Sequence, residues 1–261
     1  MTETLTIDRE GRVAIVTFRR PDQLNAMNKA MMAAITDTFE ALSGDAGVGT
    51  IVVTGEGKGF MAGADIKEYA TQTEGEFDAF QAAGQRMYAA IEDNAKPVIA
   101  AVNGFALGGG FEIVLSCDIV LASEKARFGL PEIKLGLVPG GGGTQRAARK
   151  LGRNRAQHML LTGDIFPASD FVACGFVSEL LAPEDLMPRA TALATSIAAE
   201  PAEAVEGLKR LTALALAPDP APGQAAEQAL VTSLYRSETG QARIHAFAER
   251  SAARAAEKAG K

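Results

Sequence analysis

Tryptophan is absent, and the 261 residues contain only two cysteines and two histidines. Cys117 and Cys174 form no CxxC and join no metal-ligand cluster, so they read as two buried thiols. His158 lies in a helix-like run, NRAQHMLLTG, and His245 lies near the C-terminus. Neither has an adjacent Ser/Asp or Cys signature, which leaves histidine triads and zinc sites without support. If the chain is an enzyme, carboxylates and backbone groups are left to do its chemistry.

Positive charge is outweighed by negative, 26 Lys and Arg against 32 Asp and Glu. The formal net charge is −6, which argues against nonspecific attraction to nucleic acid or to an anionic membrane. No run approaches the roughly 18 apolar residues of a membrane span. The opening MTETLTIDRE lacks the basic-then-apolar pattern of a secretory leader, and a cytoplasmic location is the default expectation. No solenoid or propeller repeat is visible. What is present is ordinary for a globular protein: 47% hydrophobic and 22% charged residues, enough for a sizeable core.

The first part of the chain alternates strands with helices. VAIVTF (Val13 to Phe18), TIVVTG, KPVIAAVNG and DIVLAS read as strands. NKAMMAAITDTFEAL carries Ile35, Phe39 and Leu42 at helical spacing, with Asn28 as its N-cap. QAAGQRMYAAIED reads as another helix. This alternation predicts an α/β domain. From about Thr144 the pattern turns helical, clearest in ALATSIAAE, PAEAVEGLKRLTALAL and AEQALVTSLYR. A Pro-rich break, APDPAPGQ, separates the last two, and the Ala-rich tail becomes charged. The expected organisation is a core over residues 1–200 and a helical region over 201–261.

Several glycine-rich stretches invite a nucleotide-loop reading. No GxxxxGK[ST] exists, GEGKGF and GGGFEI both fail GxGxxG, and PGGGGTQR has no lysine at P-loop spacing. An oxyanion site is the better physical option. NGFALGGGFEIVLSC runs from a strand through glycines into a helix, whose first N–H groups have no internal partners and can hold a developing negative oxygen. Glu112 then falls about one turn inside that helix, facing the same pocket. An ordinary helix start with a solvated glutamate fits this stretch alone equally well. A second carboxylate, Glu132, follows Pro131 in ARFGLPEIKLGLVPGGGGTQR. A third stretch, GKGFMAGADIKEY, offers the small residues Ala62, Gly63 and Ala64, then Asp65 as a helix cap.

Together these stretches resemble the enoyl-CoA hydratase/isomerase family, also called the crotonase family. The residues that carry it are GFMAGADIKEY, VNGFALGGGFEIVLSCDI and ARFGLPEIKLGLVPGGGGTQR, with RPDQLNAMN near the start. The similarity keeps order and spacing over nearly the whole chain. It implies a spiral of ββα turns with a C-terminal helical region, assembled as a trimer or dimer of trimers. It also implies an acyl-CoA thioester substrate, with coenzyme A part of the substrate and no metal or redox cofactor. By resemblance, the N–H groups of Ala64 and Gly109 form an oxyanion hole, and Glu112 and Glu132 are the two catalytic acids. Leu24, Ala26, Ala62, Asp65 and Ile66 fall where the family encloses coenzyme A. Pro131, Pro139 and Gly140 fall beside the acyl chain and catalytic water.

The implied reaction adds water to a 2-enoyl thioester. Glu112 would deprotonate water and Glu132 would deliver a proton to the α-carbon. Isomerases of the family typically keep only the carboxylate matching Glu132, so the presence of both favours a hydratase; an isomerase is the nearest alternative. An RNA-binding relative would show a lysine-rich helix, and NKAMMAAITDTFEAL holds a single lysine. The tail departs from the family, with Ala242 and Arg243 where relatives carry Glu-Gly. The acyl group is left open, since its pocket is expected to depend on a loop from Tyr69 to Gly84.

Overall fold

In the computed structural model, residues 4–65, 68 and 73–215 are described, with isolated positions 229, 233, 237–239 and 242 beyond them. The chain divides into two compact units, Met1–Ala199 and Glu200–Lys261.

The first unit opens with an antiparallel pair, β1 (Leu5–Glu10) and β2 (Val13–Phe18). Helix α1 (Lys29–Gly44) follows; the Asn28 side chain accepts from the Met31 N–H at 2.9 Å, the cap that the sequence predicts. Next come β3 (Thr50–Gly55), β4 (Gly59–Met61) and helix α2 (Glu74–Glu92). Strands β5 (Val98–Val102) and β6 (Phe105–Leu107) lead into helix α3 (Gly109–Ser116). Strands β7 (Ile119–Ser123) and β8 (Arg127–Gly129) lead into a short 3-10 turn, Pro131–Leu135, and then α4 (Gly143–Leu151) and α5 (Arg153–Thr162). The unit closes with β9 (Ile165–Pro167), β10 (Glu179–Leu181) and α6 (Leu186–Ala198). The second unit contributes α7 (Ala202–Leu214).

The strands sort into two sheets. One is six-stranded in the order β1-β2-β3-β5-β7-β10, parallel from β2 onward. The other is four-stranded in the order β4-β6-β8-β9, with β4, β6 and β8 parallel. Three successive turns of the chain, β3-β4-α2, β5-β6-α3 and β7-β8 with the 3-10 turn and α4, each lay one strand in the large sheet, one in the small sheet, and then helix. This is a spiral of ββα turns.

The large sheet is covered on both faces, so its central strands are apolar throughout rather than alternating. Residues β3 Thr50–Gly55 and β5 Val98–Val102 are all buried. Val16, Ile51, Val53, Ala100 and Val102 point into the main core. Ile15, Val52, Ile99, Ala101 and Leu121 point the other way, onto Leu186, Ala190, Ala194 and Ala198 of α6. The period-2 pleat thus serves two cores at once.

Helix α3 sits in the middle of this packing. Every residue from Gly110 to Ser116 is buried. Phe111 stacks on Phe128 of β8 at 4.9 Å and meets Phe176 edge-on at 5.8 Å. Burying such a ring is worth about 1.5–3 kcal/mol, so the position next to Glu112 is firmly fixed. Gly110 lets the helix lie against β4, where any Cβ would strike the Met61 carbonyl.

Two expectations change. Cys117 is buried but Cys174 is exposed, at the end of an irregular turn rather than in the core. The segment read as a loop to Gly84 is helix from Glu74, because Thr73 and Glu76 form a capping box with bonds of 3.3 and 2.8 Å. Asp65 is joined through its carboxylate to Arg20 at 2.9 Å, and the helix it was expected to cap lies mostly outside the described residues. The Pro-rich break, most of AEQALVTSLYR and most of the tail also lie outside them.

Candidate active site

Strands β4 and β6 pair in parallel and end side by side. Both then turn on a glycine with positive φ, Gly63 at 98° and Gly108 at 50°. Only glycine enters such conformations without strain. In each turn the next residue, Ala64 or Gly109, presents a backbone N–H that has no acceptor among the described residues. For Gly109 this is the first N–H of α3, an unsatisfied donor at the positive end of a helix. The two loops touch: a Cβ on Gly108 would lie 3.8 Å from Gly63 Cα. Two bare donors therefore stand at the ends of adjacent strands.

Glu112 lies in the first turn of α3 and is 3% exposed. Its burial is offset by a dedicated set of donors. The N–H groups of Gly141 and Gly143 each donate to Oε1 at 2.8 Å. The Tyr88 hydroxyl lies 3.3 Å from Oε2 and 3.2 Å from the Gly109 carbonyl, long distances that fit one proton shared by two acceptors. Burial pushes the Glu112 carboxyl above the usual range; the two amides, the phenol and the Arg146 charge pull the other way. The glycine run PGGGGTQR thus supplies N–H donors after all, but to a carboxylate of the same chain rather than to a phosphate.

Glu132 enters from the 3-10 turn that Pro131 starts. A Cβ at Gly108 would lie 3.0 Å from its Oε1, so this carboxyl stands beside the turn that presents Gly109. Its Oε2 is buried and has no hydrogen-bond partner among the described residues. Burial first, and the nearby Glu112 charge as well, push its pKa up to about 7 against an ordinary 4.5; a backbone bond opposes them. One site therefore holds two carboxyls in contrasting settings, with Glu112 richly hydrogen-bonded and Glu132 poised to carry a proton near neutrality.

The remaining expected residues gather at two places. The Ala62 N–H donates to the Leu24 carbonyl at 3.0 Å, and Met27 and Ala64 form a parallel bridge. Arg20 ties this corner together through the Ala26 carbonyl and the Asp65 carboxylate. Leu24, Ala26, Ala62 and Asp65 are thus brought onto one rim beside Ala64; Ile66 lies outside the described residues. Pro139 and Gly140 flank the Glu112 donors, with a Cβ at Gly143 falling 2.9 Å from Pro139 Cβ.

Sequence reasoning passed over several residues here. Asn25 is fully buried in a left-handed turn and bonds to the Gly59 carbonyl at 2.8 Å, fixing the Leu24–Met27 loop. Its signal was an asparagine between apolar residues in LNAM, where positive φ is tolerated best after glycine. Tyr88, Gly141, Gly143 and Arg146 were also missed. Tyr88 falls in QAAGQRMYAAIED, which the sequence marks only as a helix. Among the described residues no group of three or more His, Cys, Asp or Glu is placed to hold a metal ion. No helix among them is long and apolar enough to cross a membrane.

Comparison with known proteins bears on the family and the fold. The enoyl-CoA hydratase/isomerase family profile matches residues 8–257. The crotonyl-CoA hydratase of Syntrophomonas wolfei is 41% identical over 185 residues, covering 70% of this chain and 71% of that protein. The short-chain-enoyl-CoA hydratase of Clostridium acetobutylicum is 42% identical over 181 residues, 69% of each chain. The crystal structure of an enoyl-CoA hydratase from Bacillus anthracis superposes with a TM-score of 0.91 at 30% identity, over 95% of this chain and 97% of that one. The chain belongs to the enoyl-CoA hydratase/isomerase family, and its ββα spiral is the fold of that family's hydratases.

Proposed function

We propose that the protein is a 2-enoyl-CoA hydratase that converts a 2-enoyl-CoA thioester and water to the 3-hydroxyacyl-CoA. One observation carries the reading: two N–H groups at the ends of paired strands, bare among the described residues, with the carboxyls of Glu112 and Glu132 both beside the turn that presents Gly109. In this account the thioester oxygen lies on the N–H groups of Ala64 and Gly109. Attack on C3 pushes charge onto that oxygen, where losing one aimed donor typically costs about 3 kcal/mol. Glu112 takes a proton from the attacking water, and Glu132 gives one to C2. Reversing the reaction exchanges the roles. Leu24, Ala26, Ala62, Asp65 and Ile66 would enclose coenzyme A, and Pro131, Pro139 and Gly140 the acyl chain and water. The reaction so written needs no metal or redox cofactor, and the location proposed for it is the cytoplasm.

Turnover of crotonyl-CoA tests this directly. A 3-hydroxyacyl-CoA product supports a hydratase; a shifted double bond without added water would indicate an isomerase. The pH profile tests the acid. Glu132 must hold a proton to give one, so kcat/KM for hydration is expected to fall as pH rises through about 7, and Glu132→Gln to lose that limb. Because its folded pKa is raised, the proton on Glu132 stabilises the fold fully below about 4.5 and ceases to do so as pH passes about 7. A melting series should show wild type losing stability relative to Glu132→Gln across that interval.

We also propose a homo-oligomer, a trimer or dimer of trimers, with residues 201–261 taking part in assembly. The exposed apolar run Ile133, Leu135, Leu137 and Val138, up to 73% accessible in the single chain, supports burial by a neighbour. Light scattering should give a multiple of three chains; a 27.2 kDa particle would overturn it.

A further inference from the structure

We propose that Tyr88 is a positioning residue for water activation: its hydroxyl holds Oε2 of Glu112 and leaves that oxygen one free lone pair, aimed at the water. The inference rests on the hydratase reading above. Oε1 already accepts from both Gly141 and Gly143, so its two lone pairs are engaged. Oε2 alone is left to receive a proton, and the Tyr88 hydroxyl, 3.3 Å away and shared with the Gly109 carbonyl at 3.2 Å, is the donor beside it.

The phenol is itself held on several sides. Helix α2 presents Gln85, Tyr88 and Glu92 on one face, at the three- and four-residue spacing of neighbours on a helix. Gln85 Nε2 donates to the Gly140 carbonyl at 2.5 Å. The Tyr88 ring fills the space where a Gly141 Cβ would be. Arg146 lies over that ring, 5.9 Å from its centroid, and donates to the Gly141 carbonyl while pairing with Glu92 at 2.5 Å. One helix face thus grips both the phenol and the glycine segment that holds Oε1. Burial, with the Glu112 charge beside it, keeps the phenol protonated and able to donate. Among the described residues the charged and titratable groups around Glu112 are Tyr88 from α2, Glu132 from the 3-10 turn and Arg146 from α4, which pairs with Glu92.

Tyr88→Phe keeps the ring and removes the donor. Losing a hydrogen bond to a charged group is expected to lower kcat about tenfold or more with KM little changed. It should also move the acid limb of kcat/KM to higher pH, because the bond favours the carboxylate. A 3-fluorotyrosine at position 88, whose more acidic hydroxyl donates more strongly, should move that limb the opposite way in a protein that folds as wild type. A merely structural tyrosine would lower the melting temperature and leave the limb in place. Unchanged limbs in both variants, or a lower kcat without any pH shift, would overturn the proposal. Two controls separate the readings: a product without added water fails the hydratase reading, and an active Glu112→Gln fails the assignment of Glu112 as base; if Glu112→Gln is dead while both Tyr88 variants behave as wild type, only this inference has failed.

Discussion

Glu132→Gln is expected to lower crotonyl-CoA hydration by about 10²–10⁴-fold in a folded protein, the range for loss of a general acid. The carboxyl that gives a proton to C2 must hold it near neutrality, and burial beside Glu112 does this. Glutamine fills the same space but has no acidic proton. Glu112→Gln should fall as far, for the complementary reason. Its amide oxygen still accepts from Gly141 and Gly143, and its amino group can donate to the Tyr88 oxygen, so the fold is retained while the base is lost. Turnover of either variant near that of wild type would remove the two-carboxylate mechanism.

Gly109→Val tests the oxyanion position. The N–H survives, but the new Cβ would lie 2.9 Å from the Tyr88 hydroxyl and 3.2 Å from Met27 Cε. The added methyls then crowd the thioester and push the phenol off Glu112. Turnover per folded molecule is expected to fall by about 10²-fold or more, comparable to losing an oxyanion donor. A melting curve measured beside it separates the alternative. Loss of folded protein with full specific activity would mean that Gly109 serves only a tight turn.

Much of this site is written in local sequence. Glycine before a bare donor, a carboxylate one turn into a helix and a proline starting the Glu132 turn are all short-range signals. Strands β2, β3, β5 and β7 were readable because sheet strands covered on both faces are continuously apolar. The small sheet was not. Its members β4, β6, β8 and β9 have three residues each, too few for any period, and they pair with strands dozens of positions away. Strand β1 escaped because it is an edge, mostly exposed and charged. Residues that act across elements were equally hidden. Tyr88 meets Glu112 only because α2 packs on α3, and the glycines after Pro139 serve Glu112 from thirty positions on. The carboxylate of Glu112 among apolar neighbours was visible; its burial and the donors that make it tolerable were not.

The central claim is that water adds across the double bond, with its oxygen on C3 and a proton on C2. Crotonyl-CoA incubated with the purified protein in ¹⁸O-labelled D₂O tests it most directly. Mass spectrometry of the product should find one ¹⁸O at C3 and one deuterium at C2, and neither Glu112→Gln nor Glu132→Gln should form it at a comparable rate. Deuterium exchange or double-bond migration without ¹⁸O in the product would contradict the account and assign the site to proton transfer alone.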